Sequence, residues 1–353
     1  MYYIIYVTAP VAHGTKCAKH ITTMRKVTII IALLSTIILG GCRVESSPEA
    51  KTTVGKDYQV VVLCDNEAWQ GDLSMAVCDL LEEDIPGLVR PESHFDIVKQ
   101  VSSEEATDAD KRHGILFTIK LIPSNEAPSY KITQNIYAQP QLVLALTASN
   151  AEQAVEYIET HTDELREVMA ASEREEYLKG AQRKPAKQLM ADFAQATGYN
   201  MLIPSNFSKA NPADDSLTWY IRDYKNKAQY IFAFTTDYNA DENIEVQSKA
   251  IIEAIDLKFN TIASKDVAGS YMEIDPYRPI EVDMVDINGE SMLELRGCWE
   301  VAHDYMGGSF TAYTLFDPTT SKATVIIFAL YAPEDAQRNI MREMESLIYT
   351  LGK

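Results

Sequence analysis

The first half of the chain alternates short apolar runs with longer amphipathic segments. β-branched and aromatic residues concentrate in the short runs, a composition typical of strands. A helical periodicity follows Asn150, a residue type that caps helix N-termini, and keeps apolar residues on one face as far as Met169. These patterns predict strands at 57–63, 94–101, 114–122, 130–137 and 141–148, and helices at 67–83 and from Asn150 onward.

The second half shows the same mixture after a charged, proline-containing stretch. Residues 172–198 combine alternating charges with Pro185 and a helical periodicity that stops at Gly198. We therefore predict a helical linker at 172–198, between an N-terminal unit at 57–171 and a C-terminal unit at 199–353. Within the C-terminal unit the patterns predict strands at 217–222, 228–235, 270–274, 280–287, 291–303, 309–316 and 323–331, and helices at 244–262 and 336–351.

The two units end in a similar way. LVLALTASNAEQ at 142–153 and IIFALYAPEDAQ at 326–337 align without a gap, and each is an apolar strand that turns directly into an amphipathic helix. We therefore predict an α+β fold of two related units, each an antiparallel sheet covered on one face by helices. The alternative is one continuous sheet shared by both halves.

The N-terminal segment has the pattern of a secretory signal. A basic stretch at 24–26 precedes an uncharged apolar core at 27–39, which is shorter than the roughly twenty apolar residues of a membrane-spanning helix. The following LGGC at 39–42 is similar to a bacterial lipobox, whose cysteine is acylated. We expect a signal peptide at 1–41 with its true start at Met24, an acylated Cys42, and a polar tether at 42–56.

These features predict a lipid-anchored protein of the cell envelope. Two or more acyl chains hold a protein stably on a membrane, so the lipid on Cys42 is the expected membrane contact. Arg43 follows the cysteine where an aspartate would favour retention in the inner membrane. The outer membrane is therefore expected, and whether the protein faces the periplasm or the cell surface stays open.

The charge balance excludes one class of partner. The sequence has 51 acidic residues against 32 Lys and Arg, a formal net charge of -19. Affinity for nucleic acid comes mainly from Lys and Arg that neutralise phosphates. Nucleic acid is therefore not expected as a partner.

The sequence lacks the usual catalytic motifs. It contains no G-x-S-x-G, no H-E-x-x-H and no phosphate-binding glycine loop, and no His stands at metal-ligand spacing with another His or Cys after residue 42. No catalytic residue, cofactor or metal is therefore predicted. Cys298 and His303 should lie on opposite faces of a strand, which argues against a nucleophile pair. Cys64 and Cys78 are interpreted as core residues, and a disulfide between them is the alternative.

The stretch at 293–316 combines aromatic residues, paired glycines and an arginine. As a binding site, it would be a stacking platform with an arginine for a carboxylate or a sugar. As a structural element, it would be a hairpin held by aromatic pairs, with Gly-Gly supplying a positive-φ turn, which is the reading we favour. The candidate binding residues are Arg296, Trp299, Tyr305, Gly307, Gly308 and Phe310.

Three short motifs of the C-terminal unit carry a family resemblance. SYM at 270–272, RGCWE at 296–300 and MGGSF at 306–310 resemble a lipoprotein family of Bacteroidota known as domain of unknown function 4837. The resemblance covers most of the chain after Cys42 and implies an envelope lipoprotein without an assigned activity. Cys298 stands where the family has an aliphatic residue and Ser309 where proline is common, which argues against catalysis by either.

A second resemblance concerns the order of elements in the C-terminal unit. That order is similar to the Mog1/PsbP-like α+β fold, whose members are mostly binding or assembly factors. Together with the lipobox, it favours a non-enzymatic module that binds an envelope protein or a small ligand through the hairpin. The competing hypothesis is an envelope hydrolase acting on glycan or peptide, with carboxylates gathered by the fold.

Overall fold

The computed structural model of the protein describes residues 3–5, 51–224, 226–264 and 267–352. This part of the chain divides into two compact units. The N-terminal unit comprises 51–85 and 92–177, and the C-terminal unit comprises the strand at 3–5, Pro86–Pro91 and 178–352. Apart from that strand, the predicted signal peptide at 1–41 lies outside the described residues, as does Cys42.

The N-terminal unit alternates strands and helices much as its apolar pattern predicts. Asn150 caps a helix as expected, because its side chain accepts a hydrogen bond from the Gln153 amide at 3.0 Å. The helix that follows ends at Thr160, and a second helix begins at Thr162. The elements are β2 (Gln59–Leu63), α1 (Asp72–Glu82), β3 (Asp96–Val101), α2 (Asp108–Lys111), β4 (Ile115–Leu121), β5 (Ser129–Gln134), β6 (Leu142–Ala148), α3 (Ala151–Thr160) and α4 (Thr162–Ala181).

The sheet of the N-terminal unit has the order β3-β2-β4-β6-β5. The mixed α+β class is confirmed, but the prediction of an antiparallel sheet is wrong for this unit. β2 pairs in parallel with β3 and β4, β4 pairs in parallel with β6, and only β5 is antiparallel to β6 among the described strands. The continuous apolar runs of β2, β4 and β6 are typical of parallel strands buried on both faces.

Helices α1, α3 and α4 cover one face of this sheet. Apolar residues of the sheet and of these helices form one buried cluster, while a smaller cluster around Val61 and Leu116 closes the other face. Arg166 of α4 donates to the carbonyls of Asp79 and Leu80, both at 2.7 Å, and also reaches Glu83. Because carbonyls at a helix C-terminus lack partners within the helix, this arginine completes the end of α1.

The C-terminal unit is built on one large sheet. The elements are β1 (Tyr3–Ile5), α5 (Lys187–Thr197), β7 (Ser208–Lys209), β8 (Thr218–Tyr224), β9 (Lys227–Asp237), α6 (Ile244–Phe259), β10 (Tyr271–Ile274), β11 (Ile280–Ile287), β12 (Glu290–Ala302), β13 (Gly307–Asp317), β14 (Lys322–Tyr331), α7 (Arg338–Glu345) and a 3-10 helix (Ser346–Thr350). All pairings among these strands are antiparallel, as predicted, in the order β1-β11-β12-β13-β14-β9-β8-β7, with β10 also paired to β12.

Helices cover both faces of the large sheet, so the prediction of one covered face is wrong for this unit. Ile251, Ile255 and Phe259 of α6 join one buried cluster with β9, β13 and β14. On the opposite face, α7 packs against β13 and β14, and α5 packs against β9. The central strand β14 is accordingly buried at eight consecutive positions. Because it has no polar face, its sequence does not indicate whether one or both faces of the sheet are covered.

The two units were predicted to be related in structure, and they resemble each other only locally. Each unit does contain a strand followed by a helix at the aligned stretches, β6 with α3 and β14 with α7. However, β14 has antiparallel neighbours on both sides, whereas β6 has one parallel neighbour. The two sheets therefore differ in strand direction, and the likeness is confined to the local strand-to-helix switch.

The described parts of the predicted tether and linker contain defined pairings and helices. Residues 51–56, the end of the predicted tether, include the bridges of Thr52 with Gln139 and of Val54 with His113. The linker at 172–198 contains the end of α4 and all of α5. In the described part of the chain, no helix is long and apolar enough to cross a membrane.

Candidate functional site

The predicted hairpin is present as β12 and β13, with its turn at 303–306. Trp299 pairs with Gly308 and Glu300 with Gly307, directly before the turn. The Val301 amide donates to the Met306 carbonyl at 2.8 Å, which closes the turn. The residue with positive φ is His303, at 69°. The turn therefore does not use Gly307 and Gly308, contrary to the structural interpretation of the sequence.

The paired glycines belong to β13 and serve close packing. A Cβ on Gly308 would collide with the backbone carbonyl of Leu330 and approach the Trp299 indole nitrogen to 3.0 Å. A Cβ on Gly307 would come within 2.9 Å of the Trp299 carbonyl. Because two of these three neighbours are backbone atoms, a side chain at either position would push the adjacent strands apart.

The aromatic residues of the hairpin lie in the core. Trp299 and Phe310 are 3% and 1% exposed. The Phe310 ring contacts that of Phe259 edge-on at 5.9 Å, and the Trp299 ring contacts that of Tyr230 edge-on at 6.1 Å. A stacking platform needs rings at the surface, and these two rings pack under α6 instead.

Arg296 lies on the opposite face of the sheet, beneath α7. Its guanidinium donates to both carboxylate oxygens of Glu294, at 2.9 and 3.0 Å, and to Glu345 at 2.8 Å. The Thr311 hydroxyl donates to the same Glu345 oxygen at 2.7 Å. We call these four residues the buried ion network. Arg296 thus has two carboxylate partners within the protein, and Trp299 and Phe310 do not share its face.

The two carboxylates decide the protonation state of this network. Burial alone would lower the pKa of Arg296, but Glu294 and Glu345 outweigh burial and hold that pKa well above its usual value. Burial would raise the pKa of Glu345, yet its contacts with Arg296 lower it. Arg296 and Glu345 are therefore both charged at neutral pH, and with Thr311 they tie α7 to β12 and β13.

Residues Pro86–Pro91, which we call the strap, form part of the C-terminal unit and lie along the same hairpin. The Val89 amide donates to the Ser309 hydroxyl oxygen at 3.0 Å, and Arg278 donates to the Val89 carbonyl at 2.7 Å. Beside the strap, burial raises the pKa of the Cys298 thiol to about 11. The thiol is therefore protonated at neutral pH, which removes the reactive form of a cysteine nucleophile.

One end of the hairpin is exposed and acidic. Tyr305 is fully exposed in the turn. Glu273 of β10 lies directly opposite Glu300 of β12, and neither has an ion-pair partner among the described residues. Burial, followed by repulsion from Asp275 and Glu273, raises the pKa of Glu300. We call Tyr305, Glu273 and Glu300 the hairpin tip.

The facing acids of the hairpin tip were missed in the sequence. Like charges opposite each other across a strand pair destabilise the sheet, so Glu273 and Glu300 mark a place where packing is not optimised for stability alone. Their pairing depends on β10 joining β12 beside β11, and this register cannot be read from apolar periodicity. The strap was missed as well, although Pro86-Gly87 followed by Pro91 was a visible signal for irregular or extended chain.

A cleft elsewhere in the C-terminal unit contains a paired carboxylate in its wall. It has a volume of about 500 Å³ and lies between α5 and the start of β8, with Asp192 and Lys209 in its wall. The hydrogen bond from Lys209, at 3.0 Å, lowers the pKa of Asp192, so this carboxylate is ionised and paired. Among the described residues, no group of three or more His, Cys, Asp or Glu could hold a metal ion.

The three described cysteines are free thiols. Cys64 belongs to the buried core, as predicted, whereas Cys78 does not. Cys64 and Cys298 are buried, and Cys78 is half-buried. Burial raises the pKa of Cys64 to about 11, with the charge of Asp65 adding to the effect. No redox pair is therefore part of the candidate site.

The described residues form a two-unit α+β protein with an exposed acidic hairpin tip. Residues 186–350 match the model of a family described as a domain of unknown function, DUF4837, which supports the predicted resemblance for this part of the chain. Residues 53–182 match a second model, DUF8532, also a domain of unknown function. The DUF4837 match thus spans the C-terminal unit rather than most of the chain.

Other comparisons add little. No curated protein matches the chain. Two solved structures are similar, a mutant of the protein Mog1 at 8% identity and the Ran-binding protein Mog1p of Saccharomyces cerevisiae at 7% identity. Each of the two alignments covers 44% of this chain and 89% of the solved chain. The TM-score is 0.27 in both cases, which is too low to carry an argument about fold or function.

Proposed function

We propose that this protein is a lipid-anchored protein of the cell envelope that binds a partner protein and catalyses no reaction. Acylation of Cys42 would hold it on the outer membrane, and the hairpin tip of the C-terminal unit would contact the partner. The partner's contacting surface would be basic, because the hairpin tip and the whole chain are acidic.

The observation that carries this proposal is the pair of facing carboxylates beside an exposed tyrosine. Glu273 and Glu300 repel each other in the free protein, and the pKa of Glu300 is raised. A Lys or Arg of a partner would relieve this repulsion. The unfavourable electrostatic free energy of the two carboxylates in the free protein is then released on binding and adds to the affinity. Tyrosine is among the residue types that contribute most to protein interfaces, and Tyr305 has its whole side chain available.

Binding is tested by co-purification of the full chain from its own cells, comparing three substitutions. Tyr305→Ala and Glu300→Gln should each reduce recovery of the same partner at least tenfold, the size of effect seen for interface residues of this kind. Tyr137→Ala, an exposed tyrosine of the N-terminal unit, is the matched control and should leave recovery unchanged. Equal recovery with all three variants would contradict the proposal.

The same Glu300→Gln variant separates binding from folding. Because the folded-state pKa of Glu300 is raised, its charged form costs stability above that pKa, and the cost disappears as pH falls through it. Glu300→Gln should therefore increase the free energy of unfolding by about 0.5 kcal/mol at pH 7.5 and by less at pH 4.5. A variant that is more stable and yet loses its partner points to a binding residue.

Anchoring is tested separately through the lipobox. Cys42→Ser should abolish labelling of the protein by radioactive palmitate, since the thiol is the expected acyl acceptor. The wild-type chain should be labelled and found in the membrane fraction. Labelling that persists in Cys42→Ser would refute the anchor without affecting the binding result.

A hydrolase remains the second candidate, and one observation favours it. Glu273 and Glu300 are directly opposed in an antiparallel strand pair, so their side chains are neighbours on one face of the sheet, and a retaining glycosidase needs two neighbouring carboxylates. The raised pKa of Glu300 suits an acid, leaving Glu273 as nucleophile. If Glu273→Gln and Glu300→Gln each abolished release of sugars from purified peptidoglycan, this candidate would replace the binding function.

A further inference from the structure

β11 forms the outer part of the large sheet, next to β12. On its other side lies β1, the three-residue strand from the N-terminal segment. The pairing is antiparallel, with Tyr3 opposite Val282, Ile4 opposite Glu281 and Ile5 opposite Ile280. An extended segment of chain is thus seated on the β11 edge, within the segment predicted to be removed as a signal peptide.

The direction of the β11 amides follows from one hydrogen bond. The Met284 amide donates to the carboxylate of its neighbour Asp283 at 2.7 Å, so it points away from β12. Amides alternate in direction along an antiparallel strand, which places those of Val282 and Ile280 on the outer edge as well. Asp283 therefore caps the edge at Met284, and the edge that remains for pairing is Ile280–Val282.

We propose that the β11 edge of the processed protein binds an extended strand of a partner protein. This inference rests on the proposed anchoring at Cys42, because a chain that begins at an acylated Cys42 lacks residues 3–5, whether synthesis starts at Met1 or at Met24, and the outer amides of Ile280 and Val282 are then without that strand. Addition of a strand to an open sheet edge is a common mode of peptide recognition, in which main-chain hydrogen bonds give affinity and side chains give specificity.

Charge selects the occupant of this edge. A second copy of the chain would pair about a two-fold axis at Val282 and place Glu281 opposite Asp283, two like charges. A strand with a basic residue opposite Glu281 would instead form an attractive pair. Ile280 and Val282 belong to the buried cluster under α6, so the flanking positions of the partner strand favour apolar residues. The expected partner segment is therefore apolar-basic-apolar.

The probes are two synthetic peptides with the sequence of residues 1–10, one carrying Ile4→Lys and the other Ile4→Glu. The protein is the full chain expressed with its own signal and purified in detergent, and the readout is hydrogen exchange at the Ile280 and Val282 amides. The lysine peptide should slow exchange and bind about threefold to tenfold more tightly than the glutamate peptide. The Glu281→Gln variant should bind both peptides with similar affinity.

The intact mass of the purified chain separates this proposal from the anchoring. A mass that begins at acylated Cys42, with edge amides slowed by the lysine peptide, supports both. A correctly processed chain whose amides respond to neither peptide overturns the edge proposal alone. A chain that keeps residues 1–41 refutes the anchoring, and if its own strand then protects these amides, the edge proposal falls as well.

Discussion

The buried ion network permits a sharp test of what holds the C-terminal unit together. Arg296→Met keeps the length of the side chain and removes its charge. The Arg296 side chain is 19% exposed, and those of Glu294 and Glu345 are 14% and 10% exposed. Removing one partner of a buried ion pair costs about 3–5 kcal/mol, because the charge left behind has lost its compensation. We expect about 3 kcal/mol, the lower end, since all three groups keep some contact with water.

The pH dependence of this loss follows from the carboxylates. In the wild-type protein the pKa of Glu345 is lowered, so its contribution to stability is present above the unfolded pKa of about 4.3 and is lost as pH falls through the folded pKa. In Arg296→Met, the burial of Glu345 is no longer opposed by the guanidinium, and the pKa of Glu345 rises. Acidification then neutralises Glu345 in the fold, so the difference from wild type should shrink between pH 7.5 and pH 5.

The assay is guanidinium unfolding of the full chain followed by tryptophan fluorescence. Trp219 and Trp299 report on the C-terminal unit, and Trp69→Phe in both proteins removes the signal of the N-terminal unit. Lys249→Met is the control, because Lys249 and its partner Glu245 are more than half exposed and the change should stay within about 0.5 kcal/mol. A loss below 1 kcal/mol in Arg296→Met, or a loss independent of pH, would refute the account of this network.

Three further predictions concern other parts of the fold. Gly308→Ala should lower the stability of the C-terminal unit by at least about 2 kcal/mol in the same assay, because the new Cβ meets a backbone carbonyl. The control is Gly180→Ala, whose Cβ meets nothing on the helix surface and which should be neutral or stabilising. Equal effects of the two substitutions would contradict the close-packing role of Gly308. Arg166→Ala should destabilise the N-terminal unit by about 2–3 kcal/mol in thermal unfolding, because two carbonyls at the end of α1 lose a charged donor; an unchanged Tm would be inconsistent with that role. The Cys298 thiol, whose pKa is raised to about 11, should react with a thiol reagent at pH 8 far more slowly in the folded chain than in guanidinium, and rapid labelling of the folded chain would argue against its burial.

The sequence predicts elements well where side-chain periodicity decides the outcome. The strands β11 to β14 and helix α6 fall close to their predicted ranges, because each has a strong apolar pattern. Strand direction in the N-terminal unit was not predictable in the same way. Continuous apolar runs such as β4 fit either a parallel sheet or the centre of an antiparallel one, and the register that separates them depends on contacts far apart in sequence.

In the candidate site, too, local periodicity predicts the element but not the features that depend on long-range contacts. The hairpin was predictable from its alternation, but which of its residues reach the surface was not. Trp299 and Arg296 are three positions apart and face opposite sides of the sheet, and both sides are covered by helices. Only Tyr305 of the predicted binding residues lies fully exposed, and its acidic neighbours come from a register that no local pattern encodes.

The direct test of the central claim is site-specific photo-cross-linking in living cells. A photoreactive amino acid replaces Tyr305 in one strain and Tyr137 in another, in the full chain with its own signal. The account predicts a discrete cross-linked partner at position 305 that is absent at position 137 and disappears when Glu300→Gln is added. The same adducts at both positions, or an adduct at 305 that is indifferent to Glu300→Gln, would contradict the hairpin tip as the binding surface.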